Sequence, residues 1–237
     1  MRTPSYTVTC TQNKLITHNV HEVRFTKPEG FTFEPGQFVL LDAPLIDNPD
    51  DIQTRAYSIA STPDEEDLLF VIKVKPGGRA GRWVEEQLKE GDEVRIQGPL
   101  GNFTFDSKDD CDCLYVCTGV GITPFRSHIL STLKAGKNRK IDLIIGVFAE
   151  EDIFWADMHK ELTSAHPNIQ IHITLSEPKP TWKGLKGRVQ EVIPTIENFK
   201  ERSICLCGNP AMTSDVKRLC LEEWSIPKER VHMEGYI

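Results

Sequence analysis

Through the first hundred residues, short apolar-rich stretches alternate with polar, turn-forming ones. SYTVTCTQNKLI, VHEVRFTKP, GQFVLLDAP, TRAYSIAST, LLFVIKVKP and DEVRIQGPLG read as strands, and PEG, EPG, TPDEED and KPGG mark the connections. Strands at this spacing predict a small six-stranded antiparallel Greek-key β-barrel, a geometry with few open edges. One helix is predicted over 81–91, where Trp83, Val84 and Leu88 fall at helical spacing and Gly91 supplies a stop.

After the polar run FDSKDDCD the pattern changes. CLYVCTG reads as a continuous apolar strand and KIDLIIGVF as an apolar one, and IQIHITLSE and SICLCG follow as further strands. Between and after them come helical segments: Pro124 to about Ala135, 156–166, 188–199 and 211–224. Strands alternating with helices predict a doubly wound α/β domain whose parallel sheet is covered on both faces. The boundary is expected near 106–112, giving a barrel domain at 1–108 and an α/β domain at 109–237.

The 237 residues carry 28 basic and 35 acidic side chains, a formal net charge of −7, which argues against a nucleic-acid footprint. No apolar run is long enough to predict a membrane span, and the N-terminus lacks the apolar core of a secretory leader. The seven cysteines form no disulfide framework, so a reduced, cytoplasmic protein is expected. Cys111–Cys113 and Cys205–Cys207 are C-x-C pairs without a zinc or cluster spacing, so no metal site is expected.

Three stretches carry candidate chemistry. Thr118-Gly119-Val120-Gly121-Ile122-Thr123-Pro124 joins a strand to a helix. Its glycines would let backbone N–H groups approach a pyrophosphate, and Pro124 suits a first helical position; a plain tight strand-to-helix turn is the other reading of these residues. Cys207-Gly208-Asn209-Pro210-Ala211-Met212 is a second turn of this type, with Cys207 equally readable as core. TRAYSIASTP places Arg55 and Tyr57 on one face of a strand and Ser58 on the other, as either a half-exposed edge or a ligand-bearing strand would.

In order, PGQF (35–38), RAYS (55–58), VIKV before a glycine pair (71–78), GPLG (98–101), TGVGITP (118–124), CGNPAM (207–212) and EGY (234–236) span nearly the whole chain. The set resembles the ferredoxin–NADP reductase superfamily: an FAD-binding barrel followed by a pyridine-dinucleotide domain, with no fused iron–sulfur domain. The resemblance implies that Arg55 meets an FAD phosphate, Tyr57 packs on the flavin ring and Ser58, beside Ala56 and Tyr57, hydrogen-bonds near its N5. A guanidinium fork suits phosphate, and a hydroxyl can both donate and accept. Ile72, Lys73 and Val74 would line the flavin with backbone groups. The turn Gly77, Gly78, Arg79, Ala80 and Gly81 would hold the pyrophosphate. Gly81 stands where many relatives carry Ser or Thr, which keeps an N–H donor and loses a hydroxyl cap.

On the nicotinamide side the resemblance implies Thr118, Gly119, Gly121, Thr123, Pro124 and Gly208 around the dinucleotide, with Cys207 beside the ring. Ser58, Cys207 and Glu234 would form the reacting centre, and Tyr236 would cover the flavin until nicotinamide displaces it; a frayed polar tail is the other reading of these last residues. Phe148 and Glu177 occupy places where NADPH-selective relatives often carry Arg, which leans towards NADH, although Lys179, Lys183 and Lys186 could supply charge. The implied function is hydride transfer between NAD(P)H and FAD, with single electrons passing to or from ferredoxin, flavodoxin or another small redox protein. The alternatives are an NAD(P)H:flavin reductase that treats flavin as a substrate and an electron-transfer subunit of a larger complex.

Overall fold

The computed structural model describes residues 3–104 and 110–236. Contacts divide the chain into two compact units, Met1–Phe105 with Thr123–Ser131, and Asp106–Ile122 with Thr132–Ile237. The expected boundary at 108/109 lies outside the described residues.

The first unit is built on β1 (Ser5–Thr17), β2 (Val20–Thr26), β3 (Phe38–Leu45), β4 (Asn48–Ser58), β5 (Asp67–Lys73) and β6 (Glu93–Leu100). Their order across the antiparallel sheet is β4-β3-β6-β1-β2-β5. Side-chain alternation sends Val39, Leu41 and Ala43 of β3 inward to meet Val23, Phe25 and Phe70 in one buried core. Among the described residues β4 and β5, at the two ends of the sheet, are not paired strands. The chain just beyond β4 closes part of the gap: Ala60 N donates to Leu69 O at 2.8 Å, and Leu69 N donates to Ser61 Oγ at 3.1 Å.

Helix α1 spans Arg79–Glu86, two residues earlier than the pattern predicts and shorter at its end. Gly78 N bonds Lys75 O, so the KPGG turn itself launches the helix. At the other end Lys89 to Asp92 fold into a turn in which Lys89 N donates to Asp92 Oδ2 at 2.8 Å. Gly91, at φ +93, serves that turn into β6 and is not the helix cap.

The second sheet is parallel, with order β10-β9-β8-β7-β11-β12. Its strands are β7 (Cys113–Thr118), β8 (Ile141–Val147), β9 (Ile169–Leu175), β10 (Leu185–Lys186), β11 (Ser203–Gly208) and β12 (Val231–Gly235). The helices are α2 (Thr123–Lys134), α3 (Ala156–Ala165), α4 (Val189–Val192) and α5 (Pro210–Arg218). All seven residues of β8 are buried, as a strand covered on both faces requires. The helix expected over 188–199 stops at Val192 and tightens into a 3-10 turn holding Pro194, which cannot donate a helical bond. The one expected over 211–224 changes at Leu219 into a π turn.

At the amino end of this sheet Asp142, Arg202 and His172 form a shielded cluster, with His172 Nε2 2.6 Å from Asp142 Oδ1 and Arg202 bonded to the other carboxylate oxygen. Burial pushes the Asp142 carboxyl up, but these hydrogen bonds outweigh it and hold the group below the usual carboxylate range. Among the described residues no helix is long and apolar enough to cross a membrane.

Candidate functional site

Successive residues of a strand turn their N–H and C=O groups to opposite sides. Val74 N donates to Asn19 O at 2.8 Å, so Val74 and Ile72 face β2, while Val71 and Lys73 face away from it. That is the side on which Leu69 meets Ala60 and Ser61. On β4, Ile59 N donates to Gln37 O at 2.9 Å, so Ile59 and Tyr57 face β3, while Ala56, Ser58 and Ala60 turn the other way. The barrel therefore has a seam: it is zipped at Ala60–Leu69 and bordered beyond that by backbone of Ser58 and Ala56 on one side and Val71 and Lys73 on the other. Of the expected backbone trio, only Lys73 presents its groups there.

Exposure along β4 follows position more than parity, because the strand runs from solvent into the body of the barrel. Arg55 and Ala56 are exposed, Tyr57 is half-buried against the core, and Ser58 is buried. Burial pushes the Tyr57 phenol up to about 12, with the Arg55 charge opposing, so the ring stays neutral. The Arg55 guanidinium donates to Gln53 Oε1 at 2.8 Å and to Thr54 O at 2.9 Å. Arg79, in the first turn of α1, pairs with Asp51 at 2.9 Å. Gly77, at φ +74, has open space where a side chain would stand. The orphan N–H groups of a helix start beside exposed guanidinium groups suit a pyrophosphate.

In the second unit the strand order reverses between β7 and β11, and ligands of such sheets sit at the carboxyl ends beside that reversal. The Gly119–Gly121 turn leaves β7 there. A Cβ on Gly121 would lie 2.4 Å from Cys207 O, so only glycine lets the turn seat on the end of β11. Gly119, at φ +52, has no described atom within 4 Å of its would-be Cβ, so one side of the turn is open to a ligand. Gly208, at φ +127, presses against Thr118, whose Oγ1 accepts from Asn209 N at 3.0 Å. The Asn209 side chain then caps α5 by accepting from Ala211 N at 2.9 Å. Helix α2 begins at Thr123, with Pro124 in its first turn and Thr123 buried.

Cys207 is in register with Cys117 on one side and Glu234 on the other. Its thiol is fully buried, which pushes its pKa far up; Glu234 adds to this, while a hydrogen bond from Tyr236 opposes it. It is a neutral thiol, not a thiolate. The terminal segment is no frayed tail: β12 pairs with β11, and Tyr236 N donates to Gly208 O at 3.0 Å. Phe148 and Glu177, at the ends of β8 and β9, are joined by Glu177 N donating to Phe148 O at 2.8 Å, and Phe148 is 57% exposed. Lys179 is already paired with Glu151 at 3.2 Å.

One contributor, Asn209, has no role in the sequence reading. The Thr118–Asn209 link needs tertiary pairing to be seen. Asn209 before Pro210, by contrast, is a legible helix-start signal.

Residues 7–105 match the family described as oxidoreductase FAD-binding domain, and 115–218 match the oxidoreductase NAD-binding domain. The chain is 35% identical over 228 residues to ferredoxin–NADP reductase B of Sorangium cellulosum, covering 92% of this chain and 91% of that protein. It is 30% identical over 224 residues to the ferredoxin–NAD(P)(+) reductase component of the naphthalene 1,2-dioxygenase system of Pseudomonas putida, covering 93% of this chain and 65% of that protein. Among solved structures, the Amycolatopsis cytochrome P450 reductase GcoB superposes with a TM-score of 0.88 at 25% identity, over 99% of this chain and 71% of that one. With the seam in the first unit, the glycine turn in the second and these relatives in the same order along its length, the chain belongs to the ferredoxin–NADP reductase superfamily of FAD- and NAD(P)-dependent oxidoreductases.

Proposed function

We propose that this chain takes a hydride from NAD(P)H onto FAD and delivers electrons singly to a small redox protein such as a ferredoxin or flavodoxin. The observation that carries the reading is the seam: among the described residues β4 and β5 are not paired strands, and Ser58 stands buried two residues from the bond that joins Ala60 to Leu69. FAD, when bound, supplies the acceptor of a hydride and the donor of single electrons.

The chain's own groups do the rest. The Arg55 guanidinium and the first turn of α1 anchor the phosphates. The neutral Tyr57 ring and the backbone of Lys73 fix the plane of the bound ring system. The Ser58 hydroxyl can donate or accept, and so serves a partner atom whose protonation changes during turnover. In the second unit, the open side of Gly119 receives the dinucleotide, and Cys207 and Glu234 line the place for the nicotinamide. The uncharged thiol gives the ring a polarizable contact without a competing nucleophile.

The names of the relatives support a ferredoxin-like acceptor. The side-by-side placement of Phe148 and Glu177 supports NADH over NADPH, since a carboxylate repels a 2′-phosphate.

The test is an absorbance spectrum of the protein after gel filtration, followed by anaerobic NADH and NADPH titrations and reduction of a ferredoxin. Co-purifying yellow flavin, bleaching by NADH and stoichiometric ferredoxin reduction are expected. Colourless protein that reduces added free flavin would replace this reading with a flavin reductase.

A further inference from the structure

Within the first unit, the turn that follows Ser58 is held from several directions by side chains that the proposed function leaves unused. Arg126 Nη1, on α2, donates to Ala60 O at 2.7 Å and to Glu65 Oε1 at 2.9 Å. Its side chain is only 14% exposed. The same Glu65 oxygen accepts from Thr62 N at 3.2 Å. Ser127 Oγ donates to Ser61 O at 2.8 Å, and both residues are fully buried. Ala60 and Ser61 are also the two residues that zip the seam to Leu69. Each therefore bonds β5 through one group and α2 through its carbonyl.

We infer that Arg126 and Glu65 form a positioning pair that fixes where the seam stops closing, and hence where Ser58 stands. The inference rests on the proposed function only for the role of Ser58. Ala60 is two residues beyond Ser58, and an extended chain transmits a shift at one directly to the other. The bond from Arg126 is charge-assisted, and Glu65 holds the guanidinium in place while it caps the Thr62 N–H. With the pair broken, Ala60 O keeps its place only through its neighbours, and the seam can zip further or open. Arg126 acts through its bond to Ala60 O and Glu65 through its bonds to Arg126 and Thr62 N, so both are positioning residues.

The experiment compares Arg126→Gln, Arg126→Lys and Glu65→Gln with the wild type, each saturated with FAD. Three quantities are read: the FAD dissociation constant, the visible spectrum of the bound flavin, and the rate at which NADH reduces it in single turnover. Arg126→Gln and Glu65→Gln should shift the flavin absorbance band and slow its reduction by about tenfold or more, since small misplacements carry such costs. FAD affinity should change by less than about threefold, because the phosphate anchors are untouched. Arg126→Lys should recover part of the rate. Glu65→Gln keeps the side-chain shape, so it answers the question if Arg126→Gln fails to fold. Wild-type spectra and rates in the FAD-loaded variants, with only a lowered melting temperature, would overturn the positioning role. A wild-type protein that binds no FAD, or whose FAD NADH leaves oxidised, would instead overturn the proposed function.

Discussion

Cys207 and Glu234 stand side by side as register partners on the parallel strands β11 and β12, and Tyr236, two residues further on, hydrogen-bonds the Cys207 thiol. A buried neutral thiol, a half-buried carboxylate and an aromatic ring thus meet at the carboxyl end of the sheet, where a nicotinamide is proposed to sit. If Tyr236 occupies that place, its removal should help the dinucleotide bind. An aromatic contact is worth about 1 kcal/mol, or roughly a fivefold change in affinity. Tyr236→Ser should therefore lower the NADH dissociation constant by about that factor. Cys207→Ala should leave affinity near wild type and slow single-turnover flavin reduction. Weaker NADH binding by Tyr236→Ser would contradict the arrangement.

Two glycines of one turn should respond to very different extents. Gly121→Ala forces a methyl group to 2.4 Å from the Cys207 carbonyl oxygen and 2.7 Å from Gly208 Cα, and neither backbone can yield without parting β7 from β11. A loss of about 3 kcal/mol or more is expected, with loss of NADH binding. Gly119→Ala meets open space and bears only the backbone penalty of its positive φ, about 1–2 kcal/mol. Urea unfolding of both variants, with NADH titration, decides the matter; equal losses would mean that the turn is not seated as described.

The fold was largely legible because its signals are local. Turn chemistry and alternation found the barrel strands, except that β4 runs Asn48–Ser58 where the pattern predicts 54–62, because the mostly exposed, polar NPDDIQ becomes strand only by pairing with β3. Unbroken apolar runs found the central parallel strands. Strand β12 was missed as a strand because VHMEG is mostly exposed, so its apolar pattern is weak; what defines it is hydrogen bonding to β11. Two-residue β10 is likewise a product of pairing with β9. Helix α1 was misplaced because its start is set by a backbone bond from Gly78 to Lys75 and not by a side-chain cap. In the candidate site, the motifs named the residues, but the parity that separates Lys73 from Ile72 and Val74 appears only once the partner strand is known. The Arg126–Glu65 pair lies 61 positions apart in sequence, beyond the reach of any spacing rule.

Gly81 offers a gain of function. It lies in the first turn of α1, and a Cβ there would have its nearest neighbours at 3.4 Å, on Val74, which is ordinary contact. Serine is a better helix former than glycine by about 0.5 kcal/mol, and its hydroxyl would add a donor beside the turn proposed to hold the pyrophosphate. Gly81→Ser should tighten FAD roughly fivefold in a fluorescence-quenching titration. Unchanged affinity would place the pyrophosphate elsewhere.

Dinucleotide choice should turn on Glu177. Its backbone is fixed to that of Phe148, so an arginine at this position would project from the carboxyl edge of β9. Charge-assisted bonds to a phosphate are worth about 1.5–3 kcal/mol. Glu177→Arg should therefore raise the ratio of kcat/KM for NADPH over NADH by at least about tenfold. If the ratio stays put while both reactions remain fast, the 2′ position does not lie at these strand ends.

His159 makes stability depend on pH in a way that can be removed. It is buried on α3, lining a cavity with Ile122, Ile145, Phe154 and Ile173, and among the described residues neither ring nitrogen has a hydrogen-bond partner. Burial pushes its pKa down from 6.5 to about 4. The unfolded chain thus binds a proton below pH 6.5 that the folded chain accepts only near pH 4, so stability falls as pH drops through that window and is fully present above it. The gap corresponds to about 3 kcal/mol. His159→Leu removes the titration and fills the site with an apolar group, relieving unpaired polar atoms worth about 1–3 kcal/mol. Urea unfolding at pH 7.5 and pH 5 should give a more stable variant at both, with the larger margin at pH 5. Equal margins would mean that His159 finds a partner, such as a buried water, that carries its proton in the folded state.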